Sequence, residues 1–123
     1  MTTPPETEKP AVLSYPLVTL TQRADFLRAA QARRQGTPAF LLQARAHGGD
    51  AIRVGFTCSK KLGNAVARNR AKRRLREIAR LVLTTSGHPG WDYVLVGRPK
   101  ATATRNFGAM LGDLQQALRQ IHK

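Results

Sequence analysis

Nine of the twenty-one lysines and arginines fall between Lys60 and Arg80, in KKLGNAVARNRAKRRLREIAR, and Glu77 is the one carboxylate among them. A solvated helix interleaves its signs, and this stretch does not. Ala67, Ala71, Leu75, Ile78 and Val82 recur at steps of three and four, so the run still reads as a helix with one apolar stripe. Taking Ala67 as zero and about 100° per residue, Arg68, Lys72, Arg76 and Asn69 fall between roughly 100° and 200° as one contiguous face. Arg73 and Arg80 extend that face, while Arg70 and Arg74 lie on the opposite flank. Like charges at this spacing repel, so the face calls for a large anionic partner. Arginine outnumbers lysine six to one between Arg68 and Arg80. Its planar fork matches phosphate oxygens and stacks on bases, which favours nucleic acid over lipid. Lys60, Lys61 and the amides near Gly63 add a further anion site at the helix start.

Chemistry borne by the protein itself finds little support in the residue types. The seven carboxylates, Glu6, Glu8, Asp25, Asp50, Glu77, Asp92 and Asp113, are scattered, whereas a two-metal nuclease needs several that converge. His47, His88 and His122 fall in a predicted turn, a Gly/Pro loop and the C-terminus, which does not suggest an acid and base pair. One cysteine, Cys58, supplies no zinc spacing, and Gly63 is not followed by the Lys-Ser/Thr of a phosphate-binding loop. No catalytic and no metal-ligating residue is therefore assigned. Phe26, Phe40 and Phe56 are candidate platforms for unpaired bases, with Phe40 and Phe56 equally suited to a core.

The elements that must position these residues follow from periodicity. With 123 residues and a net charge of +14, the chain suits one basic domain. Residues 1–16 hold Pro4, Pro5, Pro10 and Pro16 with little apolar content and are expected to be mobile, leaving 17–123 as the domain. A helix is predicted over Thr19 to Arg34, with Leu20, Ala24, Leu27 and Ala30 on its inner side and Thr19 or Thr21 as its cap. PAFLLQARA and AIRVGFTCS, separated by His47-Gly48-Gly49-Asp50, read as a β-hairpin. Asn64 can cap the basic helix, WDYVLVG supplies a third strand, and Phe107, Leu111, Leu114, Leu118 and Ile121 mark a last helix. The order α-β-β-α-β-α implies an α/β (α+β) two-layer sandwich. No apolar run approaches the roughly twenty residues of a membrane span, and the start lacks a secretory signal, so a cytoplasmic protein is expected.

The stretch RVGFTCSKKLGNAVARNRAKRRLREIAR closely resembles the signature of the bacterial ribonuclease P protein subunit, a glycine-containing strand followed by SKK-x-GNA-V and RNR-x-KRR-x-R. LTQRADFLRAA, WDYVLVGRP and the terminal stripe resemble the family's first helix, last strand and closing helix. The resemblance implies a small cofactor protein for ribonuclease P RNA that helps remove the 5′ leader of precursor tRNA. The RNA would carry the hydrolytic site and its magnesium ions. It also implies that Phe26, Arg68, Asn69, Lys72 and Arg76 line a cleft for the single-stranded leader. Lys60, Lys61, Asn64, Arg70 and Arg73 match positions that contact the catalytic RNA. An unusual left-handed crossover around the signature helix is a further expectation, against the general right-handed rule. Ala30 and Gln43 stand where some members carry aromatics, so stacking on the leader should be weaker here. A ribosomal-type scaffold that contacts duplex RNA only, and a cationic ribonuclease using His47 or His88, are the competing readings.

Overall fold

A five-stranded mixed sheet forms the centre of the chain, and the computed structural model describes residues 16–123. The expected mobility of 1–16 falls almost wholly outside the described residues. The elements are β1 (Leu17–Thr19), α1 (Arg23–Ala30), β2 (Arg33–Gly36), β3 (Phe40–Ala46), β4 (Ile52–Thr57), α2 (Ala65–Ser86), β5 (Trp91–Gly97), α3 (Ala101–Thr104) and α4 (Phe107–Ile121). The strands lie in the order β1-β4-β5-β3-β2. Two short edge strands, β1 and β2, frame the three that periodicity finds.

Strand alternation divides the sheet into two faces. Phe40, Leu42, Ala44, Ile52, Val54, Tyr93 and Leu95 point to one side and pack with Leu75, Ile78, Val82 and Leu83 of α2 and with Met110, Leu114 and Leu118 of α4. Those two helices and the sheet make the mixed α+β core. On the other face Val94 and Val96 meet Leu20, Phe26 and Ala29, so α1 lies alone there.

The hairpin expectation fails. β3 and β4 never pair, because β5 inserts between them, antiparallel to β3 and parallel to β4. The glycine turn is present as a connection, closed by His47 Nε2 donating to the Ala51 carbonyl and by the Gly49 N–H donating to His47 Nδ1. Inserting β5 buries three strands' apolar residues under α2 and α4, and alternation within a single strand carries no information on its neighbour. The first helix also ends earlier than expected, at Ala30, since Arg33 and Arg34 pair with Ala44 and Gln43 as an edge strand. Its inner side is Asp25 and Ala29, while Ala24 and Leu27 face out, and its N-cap is Gln22 rather than a threonine.

The reason for that rotation is ionic. Asp92 of β5 is fully buried and lies in register between Arg53 of β4 and Arg45 of β3. Arg53 donates to both Asp92 oxygens at 2.6 and 2.9 Å, and Arg45 donates to Oδ2 at 3.3 Å. Asp25 of α1 then sits 3.6 Å from Arg53 and accepts from Arg28 at 2.7 Å. The Arg28 hydrogen bond, with the nearby Arg53 charge, holds the Asp25 carboxyl below its usual range. A buried carboxylate with a bidentate arginine tolerates burial only while both charges persist. Asp92→Asn strands Arg53 and is expected to cost about 3 kcal/mol of unfolding free energy, measurable by denaturant titration.

On the opposite face of β5, next to Asp92 in sequence, Tyr93 is buried and its hydroxyl accepts from the His88 N–H at 2.8 Å. Burial pushes the phenol up to about 12 and lowers His122 to about 4, helped by the nearby His88 and Arg33. His122 is thus neutral, and its Nε2 accepts the Tyr93 O–H at 2.7 Å. The unfolded chain takes up the His122 proton below about pH 6.5 while the fold resists until about pH 4, so stability falls as pH drops through that window. The expected loss is about 1–2 kcal/mol, because the ring is only part-buried and solvent screens the remainder. His122→Gln keeps an acceptor for Tyr93 and is expected to flatten that part of a melting-temperature profile against pH.

Candidate nucleic-acid interface

The basic helix starts where sequence places it. Gly63 has φ +123°, a conformation open to glycine, and turns the chain from a 3₁₀ turn at Lys60–Leu62 into α2. The Asn64 side chain accepts from the Ala67 N–H at 2.9 Å, satisfying one orphan donor of the first turn. Twenty-two residues then run unbroken to Ser86. Ala79 and Leu83 are buried along with Ala71, Leu75, Ile78 and Val82, so the buried arc is wider than the apolar stripe suggests.

That wider arc removes one arginine from the interface. Arg74 turns inward, donating to the Ala103 carbonyl at 3.1 Å and to the Arg105 carbonyl, beside the Phe107 ring and Met110 Sδ. It ties α2 to the α3–α4 connection. Arg80 is spent on Glu77 one turn earlier, which holds that carboxyl below its usual range. Arg70, Lys72, Arg73 and Arg76 have no carboxylate partner among the described residues. Arg105 takes Asp113, and Arg53 and Arg28 take Asp92 and Asp25, so of the described acids only the exposed Asp50 is in no ion pair and none answers the free helix face. Arg68 donates to the Gly63 carbonyl at 2.9 Å, which fixes its guanidinium over the start of the helix.

Phe26 lies across the sheet from α2. Its ring covers Gly55, where a Cβ would come within 2.5 Å of it, so the strand glycine is what admits the aromatic so close to the backbone. A groove of about 540 Å³ opens beside it, bordered by Arg23, Phe26, Ala30, Gln43, Thr57 and Val96. No α2 residue borders this groove, so Phe26 and the Arg68 face are not in contact. The end of β4 links them. Thr57 borders the groove, while Phe56 and Cys58, on the other side of the strand, meet α2. The Arg76 guanidinium lies 5.8 Å from the Phe56 ring centre. Burial raises the Cys58 thiol, and the Lys72 ammonium opposes that shift. Because β1 pairs only with Ile52–Val54, no strand among the described residues covers Gly55–Thr57 on that edge. A single strand could cross there from the Phe26 groove to Lys72 and Arg76.

Asn69 shares a second depression of about 620 Å³ with Val66, Arg70, Arg73 and the inward-bonded Arg74, on the flank matched to the catalytic RNA. Val66 is 76% exposed there, an apolar contact that charge reading overlooks. Lys60 and Lys61 are exposed just before this flank, whereas the Asn64 side-chain oxygen is engaged in capping. Arg23, one turn before Phe26, was also missed, although that spacing marks it as a neighbour of the aromatic.

Among the described residues no group of three or more His, Cys, Asp or Glu could hold a metal ion. No helix there is long and apolar enough to cross a membrane. His47, one candidate base for a self-sufficient ribonuclease, uses both ring nitrogens in closing its turn.

Comparison with known proteins agrees with this architecture. The ribonuclease P family model matches residues 17–122. The ribonuclease P protein component of Ruegeria pomeroyi is 64% identical over 106 residues, covering 84% of this chain and 85% of that protein. Its counterpart in Paramagnetospirillum magneticum is 47% identical, covering 83% and 80%. Among solved structures, the RNase P protein from Thermotoga maritima superposes with a TM-score of 0.69 at 29% identity, covering 84% of this chain and 96% of that one. The Staphylococcus aureus RNase P protein gives 0.67 at 27% identity, covering 83% and 93%. With nearly the whole described chain matched, this protein belongs to the bacterial ribonuclease P protein family, the protein subunit of a tRNA-processing endoribonuclease.

Proposed function

We propose that this subunit grips the 5′ leader of precursor tRNA between the Phe26 groove and the Lys72–Arg76 side of α2, while Arg70, Arg73, Asn69, Lys60 and Lys61 face ribonuclease P RNA. The observation that carries the reading is the uncovered end of β4, which connects an aromatic groove to an unpaired cationic face. Unpaired bases stack on aromatic rings, and phosphates take arginine forks. A leader strand offers both. Ala30 and Gln43 leave the groove with Phe26 as its one aromatic, so charge carries a larger share of leader affinity than stacking. Hydrolysis is assigned to the RNA and its magnesium ions, with this chain supplying position and charge neutralisation in the cytoplasm.

Adding the protein to ribonuclease P RNA at low magnesium is expected to raise turnover of precursor tRNA. An unchanged rate would overturn the reading. Lys72→Ala is expected to weaken holoenzyme binding to precursor tRNA by about 0.5–1.5 kcal/mol, as for one exposed contact to phosphate. Mature tRNA, which has no leader, should bind with unchanged affinity. Equal losses for both tRNAs would place Lys72 on the catalytic RNA instead.

A further inference from the structure

The C-terminal ends of α2 and α4 enclose a depression of about 630 Å³ that the leader and signature contacts leave unused. Ser86, His88, Gln115, Leu118, Arg119 and His122 line it, without a carboxylate. Among the described residues the Arg119 guanidinium, the Gln115 amide, the Ser86 hydroxyl and the His88 ring have no hydrogen-bond partner. The His88 ring is exposed yet held in orientation, stacked on His122 at 3.6 Å with 10° between planes. His122 is itself fixed by the Tyr93 hydroxyl and by the edge-on Trp91 ring at 4.5 Å. Arg33 lies over Trp91 at 5.4 Å and donates to the Ile121 carbonyl at 2.6 Å, adding a second positive charge to this pole.

We propose that this pole is a second contact for ribonuclease P RNA, holding one unpaired nucleotide with its phosphate on Arg119 and its base against the exposed His88 ring. The chemistry narrows the occupant. A site with no carboxylate does not suit a cation, and Leu118 alone does not suit an apolar peptide. A fixed planar ring beside a free guanidinium, an amide and a hydroxyl matches a base, a phosphate and a 2′-hydroxyl. The location selects the RNA. The pole lies on the α2 and α4 side of the sheet, away from the Phe26 groove, and α2 spans about 33 Å from its Asn64 cap to this end. The same side carries Arg70 and Arg73, so one large RNA following α2 would meet both. This inference rests on the RNA assignment of the preceding subsection.

The test compares Arg119→Gln, His88→Ala and their combination with Lys100→Gln, an exposed charge-matched control outside every proposed contact. Affinity for ribonuclease P RNA is measured over a range of salt. The combined variant is expected to bind about five- to tenfold more weakly and to lose about one unit of the log affinity against log salt slope, the signature of one lost phosphate contact. The control should change affinity less than twofold, and His88→Phe, which keeps a planar ring, should retain most of the stacking share. A combined variant indistinguishable from Lys100→Gln would overturn the proposal, as would a loss confined to leader discrimination. Should His88→Ala lower the melting temperature, Arg119→Gln, whose side chain bonds nothing, decides the question alone. Stimulation by the wild-type protein is measured alongside. If that is absent the functional reading fails, whereas stimulation with an indifferent pole refutes this contact only.

Discussion

The whole arrangement depends on where the protein spends its carboxylates. Among the described residues Asp25 and Asp92 neutralise Arg28, Arg45 and Arg53 within the sheet face, Asp113 takes Arg105, and Glu77 takes Arg80. That leaves Arg70, Lys72, Arg73 and Arg76 with no internal partner on a helix anchored by its apolar side. A cationic face of this kind is costly in isolation and stable only because tertiary burial of Leu75, Ile78, Val82 and Leu83 overrides side-chain repulsion. The free charge that results is what a polyanion neutralises on binding, with release of its counterions.

Two faces of the sheet divide the labour. On one, α2 and α4 close a conventional apolar core. On the other, α1 is held by Asp25 on Arg53 and by Phe26 on Gly55, and covers only part of the sheet. Incomplete coverage leaves the groove at Phe26, and the short reach of β1 leaves the end of β4 open toward Lys72 and Arg76. The groove and the open strand end are therefore a consequence of one strand being three residues long and one helix being eight.

The helix that carries the candidate site is legible in the sequence because its signals are local. Gly63, Asn64 and the three-and-four spacing fix the helix start and its register without reference to the rest of the chain. Arg74 was misplaced for the opposite reason. Its wheel position put it on a free flank, and only the packing of the α3–α4 connection turned it inward onto the Ala103 and Arg105 carbonyls. The sheet order escaped sequence reading for a related reason. β5 enters between β3 and β4 although its partners lie 39 positions away in β4 and 45 to 57 away in β3, and period-two alternation specifies a face, never a neighbour.

Sequence by itself determined the class of partner, the basic helix and its cap, the three long strands and the final helix, all of which follow from charge density and from contacts a few residues apart. Tertiary structure alone decided that Asp92 would lock Arg53 and Arg45, that β5 would separate the presumed hairpin, that Phe26 would rest on Gly55, and that His88 would stack on His122. Each of those pairings joins residues far apart in the chain. Their free energy comes from apolar burial and from charge and hydrogen-bond pairing that offsets desolvation, between partners that no local period can identify.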